Sequence, residues 1–405
     1  MVGMTESLAR RDTPGPDLAA PPATPRPARL PALDVLRGIA ILGTLGTNIW
    51  ILTDPAGLIG YVQDLGGPTG GWGWTERVLQ QLAQGKFLGL LTIMFGIGLA
   101  IQQRSAVRGG RPWPGGYPWR AALLFLDGLL NFLFVAEFDV LMGYAVTGAV
   151  VAYLLATSER AQRRWLVVAA TVHVAMLTAI AAAMALPAQQ DSGEARPLDP
   201  NPYADGSFWE LASFRVENAG MFRLEAVFVF PMSVALFLLG TRLFRAGLFE
   251  PAGRRLRRRL MVLGFGVAAP LDLGLGLWDG DLVLFTRYGT APLVSLGILA
   301  LVAQFYVGRD AAGFTGRRFS EVGRMALSCY ILQNLVASAL CYGWGLGMAA
   351  RVSPGDRVPF TMAVYLTVCV VMVVFAHLWL RLFERGPVEW LWHNSYRAIT
   401  RRRAA

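Results

Sequence analysis

Residues 33–52 read LDVLRGIAILGTLGTNIWIL, an apolar segment that nevertheless carries Asp34, Arg37 and Asn48. About 20 apolar residues cross a hydrocarbon core roughly 30 Å thick, so the segment is a spanning helix by length. Charged groups at the end of a span, and an amide within it, are costly unless they meet partners or water. On a helix Arg37, Ile41, Thr44 and Asn48 fall within roughly 60° of one another, and the rise from Arg37 to Asn48 is about 16 Å. One stripe therefore joins a cationic end to a buried amide.

The same character extends over the whole chain of 405 residues, of which 54% are hydrophobic and 16% charged, where soluble proteins carry about 25% charged residues. Apolar segments recur at roughly 33–52, 85–103, 120–136, 138–157, 165–187, 222–244, 259–278, 284–307, 322–346 and 360–382. They predict an all-α, polytopic integral membrane protein of about ten transmembrane helices. A single membrane domain is expected over residues 30–396, with a disordered, Pro/Ala/Arg-rich cytoplasmic tail at 1–29 and a basic cytoplasmic tail at 397–405. The first segment is too long for the apolar part of a signal peptide and is expected to stay in the membrane.

A net charge of +10 invites a nucleic-acid reading, but the arginines cluster beside apolar segments, where they act as topology signals. Alternate loops carry Arg104, Arg108 and Arg111, then Arg160, Arg163 and Arg164, then five arginines within 254–259, then Arg309, Arg317 and Arg318. The intervening loops are acidic or sparse, with Asp54 and Asp64, then Asp191, Glu194, Asp199 and Asp205, then Asp279 and Asp281. The positive-inside rule then places both termini in the cytoplasm. All basic residues but Lys86 are arginine, a skew that with abundant Ala and Gly points to a GC-rich bacterial gene and hence a bacterial inner membrane. Residues 57–75, rich in Gly and Trp, and the acidic stretch 188–221 are the non-spanning elements expected to cover a site, with an amphipathic interfacial helix at 75–84.

The first span, GKFLGLLTIMFGIGLAIQQR at 85–104, GRMALSCYILQNL at 323–335 and WLRLFERGPVEWLW at 379–392 together resemble the YeiB family, in matching order across most of the chain. The opening LDVLRG element is also distantly similar to transmembrane acyltransferases that include heparan-alpha-glucosaminide N-acetyltransferase. That resemblance implies acyl-CoA, acetyl-CoA above all, entering from the cytoplasm, and an extracytoplasmic glycan, lipid or metabolite taking the acyl group on a hydroxyl or amine. Asn48 matches the implicated asparagine, whereas the histidine of the lysosomal enzyme has no counterpart. Where YeiB proteins commonly read GLLH and then GDIL, this chain reads GLLN at 128–131 and EFDVL at 137–141. Asp139 matches and Asn131 replaces the histidine.

Each candidate has a structural alternative. Asp34 and Arg37, spaced i, i+3, pair with each other or bind the phosphates of a CoA-like ligand, for which a guanidinium fork is suited. Asn48 either bonds a neighbouring helix or stabilises developing oxyanion charge. Lys86 either snorkels to the interface or lies beside Asn48, binding an anionic acceptor or holding Asp139. Arg324 is a topology anchor or a second ligand contact, and Gln333 a packing residue. Asn131, Glu137, Asp139, Arg223, Glu225, Asp272 and Arg287 share one inferred depth, as a polar cavity or a ring of ion pairs, with Asp139 or Glu225 as general base. Gly85, Gly89, Gly96 and Ala100 form a packing face. His173 and His377 lack companions at ligand spacing, so no metal is expected.

The favoured function is acyl transfer, with Asn48 and Asp139 catalytic and Asp34, Arg37, Lys86, Asn131 and Arg324 binding substrate. Export of a small anionic or amphipathic metabolite is the rival, and a noncatalytic membrane partner the third reading. The lipid bilayer is the surrounding partner, and the reading leaves room for a homodimer.

Overall fold

A computed structural model describes residues 30–63, 71–185, 198–278, 282–309 and 311–401. The tail expected at 1–29, and parts of the stretches 57–75 and 188–221, lie outside the described residues, whereas residues 397–401 continue a helix. The described residues contain no strand. From the N-terminal side the helices are α1 Pro31–Leu52, α2 Gly57–Gln63, α3 Gly73–Ala83, α4 Lys86–Arg108, α5 Tyr117–Phe134, α6 Leu141–Leu154, α7 Glu159–Ala185, α8 Phe208–Glu217 and α9 Ala219–Arg245. They continue as α10 Arg254–Met261, α11 Ala269–Trp278, α12 Val283–Phe285, α13 Ala291–Tyr306, α14 Gly313–Arg324, α15 Ala326–Cys341, α16 Arg357–Leu382 and α17 Pro387–Arg401. Wider π-helical turns at Val262–Ala268 and Thr286–Thr290 join α10 to α11 and α12 to α13.

Among the described residues seven helical segments are long and apolar enough to cross a membrane, or eight if α14 and α15, bent by 87°, form one span. α5 and α6 occupy two further apolar segments. α5 carries Arg120 and Asp127 within its apolar run, and α6 is only 14 residues long.

α1 is the axis of the fold. In its most apolar window 78% of residues are buried inside the protein, against 17% for α7 and 28% for α16. The two poorly buried helices turn Val, Leu and Ala side chains outward, as lipid-facing surfaces do, while α1 is enclosed by α3, α4, α13, α14, α15 and α16. Small residues permit that enclosure. A Cβ at Gly38 would strike the backbone of Phe319, and one at Gly323 would strike the Asp34 carbonyl, so α1 and α14 cross backbone to backbone. Gly96 of α4 and Gly240 of α9 meet in the same way.

α8 starts at a capping box: the Glu210 N–H donates to Ser207 Oγ at 3.3 Å, and the Ser207 N–H donates to Glu210 Oε2 at 2.7 Å. The bond from the Ser207 backbone holds the Glu210 carboxyl below its ordinary range.

Candidate functional site

At the first end of α1, Asp34 and Arg37 lie one turn apart, and Arg37 Nη1 donates to Asp34 Oδ1 at 3.2 Å. Asp34 is almost enclosed, whereas the Arg37 side chain keeps 37% of its surface open. Because Gly323 is pressed against the Asp34 carbonyl, Arg324 is held at the same α1–α14 crossing. Its Nη2 donates to the Glu384 carbonyl at 3.2 Å, and its Nε has no partner among the described residues.

Glu389, which the sequence reading passed over although it stood within the quoted WLRLFERGPVEWLW block, is decisive here. The bend between α14 and α15 leaves the first N–H groups of α15 without intrahelical partners. Glu389 Oε1 accepts from the N–H of Leu327 at 2.8 Å and of Ser328 at 3.1 Å, and the Ser328 hydroxyl donates to Glu389 Oε2. The Val388 N–H donates to Ser328 Oγ at 3.1 Å. The blocks 323–335 and 379–392 thus meet as one built junction.

Towards the other end of α1, Asn48 is half-buried. Asp139 sits in the break between α5 and α6, where both carboxyl oxygens are engaged. Asn131 Nδ2 donates to Oδ1 at 2.9 Å, and the Met142 N–H, in the first turn of α6, donates to Oδ2 at 3.1 Å. Arg223 of α9 lies over the Phe132 ring at 4.2 Å and donates to the backbone carbonyls of Asp139, at 3.0 Å, and Glu137. Glu137 is itself fully buried, accepting from Arg215 Nε at 3.1 Å and from the Tyr203 hydroxyl at 3.0 Å. Val135, Glu137 and Asp139 of the break are therefore each held by an arginine.

Lys86 neither snorkels nor holds Asp139. Burial turns its ammonium inward, where it pairs with fully buried Asp272 of α11 and donates to the Gln81 carbonyl at 2.5 Å. Asp272 also accepts from Gln81 Nε2 at 2.8 Å and from Thr290 Oγ1 at 2.8 Å. The π-helical turn that carries Thr290 also presents Arg287 and Tyr288, which both donate to Glu225 Oε1, at 2.9 and 2.5 Å. His173 bonds the Tyr288 carbonyl at 3.0 Å, and His377 lies 3.3 Å from Glu321.

A cavity of about 40 Å³ opens between α4, α6 and α9, lined in part by Thr92, Asp139, Tyr144, Thr147, Arg223 and Glu225. Around it polar atoms remain buried without a partner among the described residues, namely Asn131 Oδ1, Thr147 Oγ1, Arg223 Nε and the Tyr330 hydroxyl. Tyr330 of α15 lies against Val140, a residue of the cavity wall. A carboxylate held by an amide beside unspent donors and acceptors is a setting in which a hydroxyl or amine can be bound and relieved of a proton.

A family model described as a protein of unknown function (DUF418) matches residues 243–398, which include both blocks joined by Glu389. An uncharacterised protein of Escherichia coli (strain K12), YeiB, is 28% identical over 383 residues, 89% of this chain and 94% of its own length. The resemblance to the YeiB family holds. The uncharacterised YxaH of Bacillus subtilis (strain 168) is likewise 28% identical, over 396 residues, covering 91% of this chain and 94% of the relative. The likeness to YeiB and YxaH therefore extends well beyond the matched C-terminal part.

Proposed function

We propose that the protein is a transmembrane acyltransferase that moves an acyl group, acetyl in the simplest case, from cytoplasmic acyl-CoA to an extracytoplasmic hydroxyl or amine. The observation that carries this reading is the Asn131–Asp139 couple, anchored at 2.9 Å on the edge of a mostly apolar cavity that Arg223 and Glu225 also line. In the proposed reaction Asp139 takes the proton of the acceptor, whose oxygen or nitrogen attacks the thioester carbonyl. The C–S bond breaks, and CoA leaves as a thiolate that takes up a proton. Asn48, half-buried towards the far end of α1, is assigned to the developing oxyanion. Arg37, oriented by Asp34 and partly open, and Arg324, whose buried Nε has no partner among the described residues, are assigned to the CoA phosphates, for which a guanidinium fork is suited. Lys86 belongs to the scaffold in this scheme, because Asp272 takes up its charge.

The same reading takes α5, α6 and the bent pair as completing ten crossings, with both termini in the cytoplasm of a bacterial cell by the positive-inside rule. The rival, export of a small anionic metabolite, draws on the break between α14 and α15, since discontinuous helices mark substrate sites in transporters.

Titration of the purified protein with acetyl-CoA separates the two. Acyl transfer requires binding that is weakened by Arg37→Ala and Arg324→Ala, and turnover that is abolished by Asn48→Ala and Asp139→Asn while binding persists. Absence of acetyl-CoA binding, together with metabolite flux in proteoliposomes free of CoA, establishes the rival instead.

A further inference from the structure

α17 turns the wrong sides in and out for a helix in water. α16, long and apolar enough to cross a membrane, ends at an exposed Leu382, and α17 follows after a short turn. It therefore starts where hydrocarbon gives way to headgroups. Its one acid, Glu389, points inward and closes the first amides of α15. Trp392 and Tyr396 stack at 5.9 Å, and the Arg120 guanidinium of α5 lies over both rings, at 5.6 and 4.6 Å. α17 is thereby seated against α5 and α15 together.

Trp390, Leu391, Asn394, Arg397 and Ala398 fall within about 120° of one another, on the side away from Glu389. All five are exposed, Trp390 by 60% and Leu391 by 59%. A helix seated on a protein in water turns its large apolar side chains to that protein, so two of them turned the other way mark a surrounding that is not water. The charges beside them have one sign. Among residues 381–398 Arg381, Arg385 and Arg397 are exposed, and Glu384 is the single exposed acid. Burial, and after it the charges of Arg385, Arg397 and Arg120, hold the His393 imidazole below its ordinary range. The sequence adds Arg401, Arg402 and Arg403 directly beyond. Trp and Leu flanked by arginines, on a helix that begins where a span ends, match the surface of a negatively charged bilayer.

We infer that the outward face of α17 docks on anionic phospholipid headgroups, and that this docking keeps Glu389 seated on the first turn of α15. The lipid contact and the cap stand on opposite faces of one short helix. Lipid that favours the seated helix therefore favours the capped break between α14 and α15, and the coupling runs equally in reverse. This regulation is independent of the acyl-transfer reading.

The test places full-length protein in nanodiscs of phosphatidylcholine, alone or with an equal part of phosphatidylglycerol. A nitroxide on Leu391→Cys, in a background lacking Cys329, Cys341 and Cys369, reports immersion through its relative access to oxygen and to a water-soluble nickel complex. Hydrogen exchange of the otherwise unaltered protein reports the Leu327 and Ser328 amides. Phosphatidylglycerol is expected to draw the nitroxide into the headgroup layer and to slow the two amides about tenfold, both effects fading at high salt. Arg385→Gln combined with Arg397→Gln should remove both responses, whereas Glu389→Ala should abolish that of the amides and leave that of the nitroxide. The arginine pair is exposed, so that variant remains informative if Glu389→Ala does not fold. Equal immersion in the two lipids overturns the proposal, as do amides indifferent to lipid charge or responses that survive the arginine substitutions. Dipolar broadening between nitroxides gives the face to a second copy of the chain and overturns it as well.

Discussion

With Asp272 withdrawn from water, Lys86 gains an attraction in a low-dielectric setting that offsets part of the desolvation of both groups, and Gln81 and Thr290 satisfy the remaining carboxylate lone pairs. Removing one partner leaves the other charge buried and alone. Asp272→Asn or Lys86→Met is therefore expected to cost about 3–5 kcal/mol in denaturant unfolding, whereas Lys86→Met combined with Asp272→Leu recovers most of the loss. A double variant no better than the singles would show that the pair is not a unit. Sequence depth brought Asp272, Arg287 and Glu225 to one level, but partners far apart in the chain were not readable, because pairing depends on how helices turn towards each other. That is why Lys86 was expected at the interface or beside Asn48. Asn131 was readable as the departure from the GLLH pattern, and the structure gives it a donor's role at Asp139.

The bend between α14 and α15 shows what an element can conceal. The segment 322–346 reads as one continuous apolar run without proline, so hydropathy makes it a single span, while Gly323 against Asp34 and the Glu389 cap set the break. Such contacts come from distant residues and leave no local periodicity. Glu389→Ala is expected to destabilise the protein by about 1–2 kcal/mol through loss of the cap, with faster amide exchange at Leu327 and Ser328 and protease-sensitive α17, whereas Glu389→Gln keeps an acceptor and loses less. Normal exchange at those two amides in Glu389→Ala would remove the capping role. At α8 the sign is that of a depressed carboxyl. Glu210 stabilises the helix start fully above its unfolded value near 4.5, and the contribution disappears as pH falls through the lower folded value. Amide exchange in α8 should quicken in that acidic window, and Glu210→Gln should remove the pH dependence.

For the whole molecule, apolar length and charge asymmetry made the helical class legible, and α1, the opening feature of the sequence, is the buried axis. What they left open is which short helices cross. If α5 and α6 both span, cysteines placed at Phe138 and Ser353 react with an impermeant maleimide from one face and a cysteine at Ser158 from the other, in a background lacking Cys329, Cys341 and Cys369. Labelling of the Phe138 and Ser158 positions from the same face would leave α5 and α6 outside the count. The Glu389 junction also bears on biosynthesis. Its carboxylate emerges from the ribosome 62 residues after the Leu327 amide that it closes. Until then α15 waits in the translocon or bilayer with its leading amides unclosed, so nascent chains stalled before Glu389 should be retained by membrane chaperones and degraded, however many apolar segments they have inserted.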